Sequence, residues 1–107
     1  MQVLSPAMSS DEEYRDLIKV RDPYRLLEGE DPDSTYVDDA THWVSVYGEL
    51  LGFKETLVEA AASRATDLPE DAQPEAGADL TILEAERQRL ERRYQFWNER
   101  LAQLRSI

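Results

Sequence analysis

The chain has 107 residues, of which 12 are basic and 23 acidic, for a net charge of −11. That length holds one domain at most, with a modest core, and the charge repels nucleic acid and anionic membrane over most of the surface, so neither is expected as a direct partner. The absence of cysteine excludes disulfides, thiolate nucleophiles and cysteine metal sites. No basic leader with an apolar run opens the chain and no apolar stretch is long enough to span a bilayer, so a cytoplasmic location is expected.

Residues 1–9 read as disordered. Ser10 with Glu13 fits a capping box, and a short helix over 11–20 follows, with Tyr14, Leu17 and Ile18 on one face. Asp22-Pro23 ends it, because the residue before proline disfavours helix. Tyr24, Leu26 and Leu27 form a small apolar cluster. Glu28 to Ser34, with Gly29 and Pro32, reads as a polar loop, and Ser34 as the cap of a long helix over 35–65 whose start carries Asp38 and Asp39. Pro69, Pro74 and Gly77 among acids and alanines make 67–79 read as a flexible, solvated loop. Asp79 is then the cap of a second long helix over 80–105. No strand signal appears.

Two apolar seams mirror each other. Val37, Ala40, Val44, Tyr47, Leu51, Val58 and Ala61 step by three and four, as do Leu80, Leu83, Leu90, Tyr94, Trp97, Leu101 and Leu104. Folding the chain back pairs Ala61 with Leu80, Leu51 with Leu90, Tyr47 with Tyr94, Val44 with Trp97 and Val37 with Leu104, a constant sum of 141. The single interruptions, Lys54 and Arg87, meet in one layer. Their stems are expected to pack while the heads reach Glu55, Glu84 or Glu91; the alternatives are a polar layer that fixes register or faces an anion. The fold expected is all-α: a short N-terminal helix, then a long, coiled-coil-like antiparallel hairpin.

The first long helix is apolar over half its circumference. Beside the seam run one column of Tyr36, Trp43, Leu50 and Leu57 and another of Asp39, Val46, Phe53 and Ala60. The second helix offers only a narrow seam flanked by Ile82 and Phe96, with Arg89 and Gln103 in the same column. Leaving the wide face in water forfeits about 1.5–3 kcal/mol per large side chain. The N-terminal segment is expected to cover one end and a second copy the rest. The interface residues on that reading are Tyr36, Trp43, Val46, Leu50, Phe53 and Leu57.

Little here carries chemistry. Asp39 and His42 stand three apart on a helix, as in some metal-binding bundles, but the facing seam supplies no further carboxylates. There is no nucleophile elbow and no glycine-rich phosphate loop. Gly48 and Gly52, with Ser45, form a small-residue stripe that is either tolerated surface or a place where another backbone comes close. The charge is uneven: residues 1–79 hold 6 basic and 19 acidic residues, residues 80–107 hold 6 and 4. Arg87, Arg89, Arg92 and Arg93 are therefore expected to pair with acids of the first half or of their own helix; the alternative is an anion or nucleotide site. No catalytic, cofactor or metal residue is assigned. The function expected is a non-enzymatic, homodimerising interaction or regulatory module. An acidic inhibitor of a basic or nucleic-acid-binding protein is the first alternative, and a metal- or nucleotide-binding bundle the second.

Overall fold

The structure, a computed structural model, describes residues 22–106. The expected disorder of 1–9 and the helix over 11–20 lie outside the described residues. The remainder is an all-α hairpin: α1 spans Val37–Ala65 and α2 spans Gln73–Arg105. Ahead of α1, residues 22–36 form an irregular strap.

α1 starts two residues later than its capping sequence suggests. Tyr36, in extended conformation, precedes the first turn and makes no side-chain cap. Ser34 acts one step upstream. Its hydroxyl accepts the Tyr36 amide at 3.2 Å and donates to Asp39 Oδ2 at 2.6 Å, which ties the strap to the first turn. Asp38 and Asp39 face the positive end of the helix dipole there.

The connection between the helices is far shorter than 67–79. Pro69 stops the chain after α1, a single 3-10 turn covers Glu70–Ala72, and α2 begins at Gln73. Pro74 sits in the first turn of α2, where its missing amide would have had no partner anyway. Gly77 costs about 1 kcal/mol relative to alanine within a helix. Ala76 is half-buried and lines a surface groove with Ala61 and Ala65, so the two helices still face one another beyond Leu80. Asp79 is consequently an interior helical residue and not a cap.

The core is lopsided. Ala40, Tyr47, Leu90, Trp97 and Leu101 are buried, with Leu27, Trp43, Val44, Leu50, Leu51, Tyr94, Phe96 and Leu104 packed on them. These residues occupy the open end of the hairpin. Toward the closed end, Val58, Ala61, Leu80 and Leu83 are only half-buried. The antiparallel register follows the mirrored seams: Gly48 faces Tyr94, and Val58 shares a groove with Glu84 and Arg87. Arg87 leaves the seam for its own helix, where Nε meets Glu84 at 2.6 Å and Nη1 meets Glu91 at 2.7 Å.

The two glycines of α1 differ. A methyl group on Gly48 would sit 3.1 Å from the Tyr94 ring, so the close approach there comes from a side chain and not from a backbone. Gly52 faces open space. Gly52→Ala is expected to stabilise the fold by up to about 1 kcal/mol through helix propensity alone. Gly48→Ala should gain clearly less, because Tyr94 must give way. Thermal melts of both variants check this, and equal gains would contradict the Gly48–Tyr94 packing.

Candidate functional site: a buried carboxylate and an open apolar face

The strap is held by one acid. Leu27 to Glu30 form a tight turn, closed by the Glu30 amide donating to the Leu27 carbonyl at 3.1 Å. Gly29 supplies the left-handed conformation in it, with φ 84°, a geometry open to glycine at little cost. The turn aims the Glu30 side chain inward, where it is wholly buried.

Both carboxylate oxygens are saturated with donors. Oε1 accepts the Leu27 amide at 2.9 Å and the Tyr47 hydroxyl. Oε2 accepts Trp97 Nε1 at 2.7 Å and the Arg93 guanidinium through Nε, at 3.1 Å, and Nη2. Tyr47 comes from α1, Arg93 and Trp97 from α2, and Leu27 from the strap itself, so one carboxylate joins all three pieces. Arg93 also lies over the Phe96 ring, 4.4 Å from its centroid, and Phe96 packs edge-on against Trp97.

This environment sets the charge state. Burial pushes the Glu30 carboxyl up, but hydrogen bonds from Tyr47, Trp97, the Leu27 amide and Arg93 together outweigh it and hold the group below its ordinary 4.5. Tyr47 is pushed up to about 12, by burial first and by the adjoining Glu30 carboxylate second. Glu30 is therefore ionised and Tyr47 neutral at pH 7. With every lone-pair direction occupied and no surface left exposed, Glu30 has no face for a substrate. Its chemistry is cohesion.

Further arginines of α2 hold the strap on either side. Arg89 Nη1 donates to the Arg25 carbonyl at 3.1 Å, and Arg25 Nη2 reaches Glu86 Oε1 at 3.4 Å. Arg100 donates to the Ser34 carbonyl at 3.1 Å. Arg89 and Arg93 are thus engaged with the strap and Arg87 with Glu84 and Glu91, which leaves Arg92 as the exposed member of the arginine run.

The six residues assigned to an interface divide in two. Trp43 and Leu50 pack against the core, and Val46 is half-buried. Tyr36, Phe53 and Leu57 stand in solvent at 71%, 62% and 37% exposure. Of the N-terminal apolar residues expected to cover one end of that face, Leu27 packs on the core cluster, whereas Tyr24 and Leu26 are exposed. His42 is exposed and stacks edge-on against Trp43 at 4.9 Å, while Asp39 is taken by Ser34. Among the described residues, no group of three or more His, Asp or Glu is placed to hold a metal ion, and no helix is long and apolar enough to cross a membrane.

Glu30→Gln keeps the shape but removes the charge, and leaves the half-buried Arg93 without its counterion. A cost of about 3–5 kcal/mol is expected in urea denaturation. The pH dependence has a definite sign. The folded-state pKa lies below the unfolded one, so the Glu30 contribution is complete above about pH 4.5 and is lost as pH falls through the folded value. The stability gap between wild type and Glu30→Gln should therefore narrow on acidification; a gap that is constant with pH would contradict the ionised clasp.

Comparison of the chain with protein-family models, curated proteins and solved structures finds no match.

Proposed function

We propose that this protein is a non-enzymatic helical interaction module that pairs with a second copy of itself through the apolar face of α1. The observation that carries this reading is the exposure of Tyr36 and Phe53, large aromatics on the flank of a helix whose neighbouring Trp43 and Leu50 are packed. Aromatic side chains with one face left in water are the residues that dominate association energies when they become buried. The saturated Glu30 clasp supports a non-catalytic role, since its polar groups serve one another. A rigid, strapped hairpin presenting an apolar stripe is suited to recognition, where preorganisation lowers the entropy lost on binding.

A basic protein partner is a second reading, favoured by one feature. The half of the hairpin near the closed end carries exposed Glu55, Glu59, Asp67, Glu70, Asp71 and Glu75. Such a surface would steer a cationic partner toward the molecule.

Light scattering at micromolar concentration tests self-association, with twice the mass of the chain expected. Phe53→Glu places a carboxylate in the apolar contact and should weaken the dimer by about tenfold or more while leaving thermal stability nearly unchanged. A clean monomer across that concentration range would overturn the dimer. For the second reading, association with a basic partner is expected to slow as salt rises, because screening removes steering. A rate indifferent to ionic strength would leave the apolar face as the recognition surface.

A further inference from the structure

An open groove runs between α1 and α2 on the side of the hairpin away from the strap. Val58 and Ala62 of α1 and Leu80 and Ala85 of α2 give it an apolar lining, and its volume is about 480 Å³. Gly77 and Glu84 border it on α2, one heptad apart, as do Thr81 and Gln88. The strap is held on the other flank of the α2 seam, by Glu86, Arg93 and Arg100, which also stand one heptad apart. Toward the open end the groove continues past Val58 and Glu84, where Glu55, Glu59 and Arg87 join its lining. Gly77 lines the groove, and Gly52 stands one heptad before Glu59 on α1; both face open space. Each costs about 1 kcal/mol relative to alanine in a helix. The packing of the hairpin itself calls for neither.

The charges along this groove are one-sided. Arg87 is engaged by Glu84 and Glu91. Glu55 and Glu59 are exposed and make no ion pair among the described residues. Lys54, next to them in sequence, falls on the other flank of the α1 seam, in the column of Tyr47 and Ala61. No three acids are placed to hold a metal ion among the described residues, so these carboxylates suit cations spread along a ligand and not a single ion. From Gly77 to Gln88 the groove follows α2 for about 17 Å, the length of about three helical turns. An apolar floor with an acidic rim matches a helix that carries aliphatic side chains at three-and-four spacing with lysine or arginine beside them. A second copy of the chain matches it poorly, because it brings a net charge of −11 to acids that already lack partners.

We propose that this groove binds a basic amphipathic helix of another protein, with its aliphatic side chains on Val58, Ala62 and Leu80 and its cations at Glu55 and Glu59. This rests on the reading of a basic partner and gives that partner a place and a shape. Tyr36 and Phe53 lie on the other flank of α1, so the groove and the self-pairing face do not compete.

The test titrates a synthetic leucine–lysine helical peptide, about four turns long with leucine at three-and-four spacing, into the isotope-labelled full chain and follows the backbone amides by NMR. The same peptide with glutamate in place of lysine is the control. Amide shifts are expected to concentrate in residues 55–62 and 77–88, with the lysine peptide alone, and to weaken as salt rises. Gly77→Leu improves helix propensity while filling the groove, so it tests the site without threatening the fold. It should weaken binding by about tenfold or more. Glu55→Gln with Glu59→Gln should weaken it by about fivefold. Glu28→Gln with Glu49→Gln removes the same charge from exposed positions elsewhere and should change it by less than about twofold. Salt-sensitive binding that maps to Tyr36 and Phe53 or is weakened equally by both double variants overturns the groove and leaves the basic-partner reading standing. No binding of the lysine peptide overturns both. Equal binding of the acidic peptide overturns the cationic occupant, and groove shifts that appear with protein concentration alone would give the site to a second copy and overturn the proposal.

Discussion

A buried carboxylate with five hydrogen bonds is the constraint on which this structure depends. Two helices of this length can slide and rotate past one another when only an aliphatic seam joins them. Glu30 removes that freedom. Its oxygens require the Tyr47 hydroxyl from α1 and the Trp97 and Arg93 nitrogens from α2 at fixed positions, and each of those groups, once desolvated, requires Glu30 in return. A buried charge without such partners would be strongly disfavoured. The penalty for any other arrangement is what specifies this one.

The same cluster explains why the core is concentrated at the open end. Tyr47 and Trp97 are the largest wholly buried side chains, and both have a polar tip. They can be buried only where those tips are satisfied. The strap therefore serves two ends at once: Leu27 extends the apolar core and Glu30 neutralises the polar atoms that come with the aromatics. Beyond Arg25 no equivalent covering lies on the hairpin among the described residues, and the exposed apolar side chains of the closed half, Phe53, Leu57, Leu68 and Ile82, follow from that.

The hairpin was legible because periodicity survives in any environment. Ala40, Val44, Tyr47, Leu51, Leu90, Tyr94, Trp97, Leu101 and Leu104, picked from spacing alone, all belong to the observed core cluster. Capping and loop signals were less reliable. Pro74 and Gly77 read as breakers in isolation, but the proline falls in the first turn, where no hydrogen bond is lost, and both lie within α2. Glu30 was invisible for a different reason. It lies among Glu28, Asp31 and Asp33, and nothing in composition distinguishes the acid that turns inward from those that stay in water. The available signal was indirect: Tyr47 and Trp97 lie in the seam with tips that need partners, and Arg93 sits one turn from Trp97. Only Gly29, whose left-handed turn redirects the chain, marks the place locally. Of the wide apolar face assigned to a partner, Trp43 and Leu50 pack against the core, while Tyr36, Phe53 and Leu57 keep the exposure the sequence implied.

Polar groups are turned inward for cohesion while Tyr36, Phe53 and Leu57 stand in solvent, and the proposed self-pairing starts from that division. The foundation of the architecture is the ionised state of Glu30 inside the fold. Carbon-13 NMR titration of the glutamate side-chain carboxyls measures that state directly. One resonance, assigned by its loss in Glu30→Gln, is expected to titrate below the ordinary 4.5 and to be shifted in Tyr47→Phe. A Glu30 carboxyl that titrates at or above the ordinary value, unaffected by Tyr47, would contradict the clasp and the architecture derived from it.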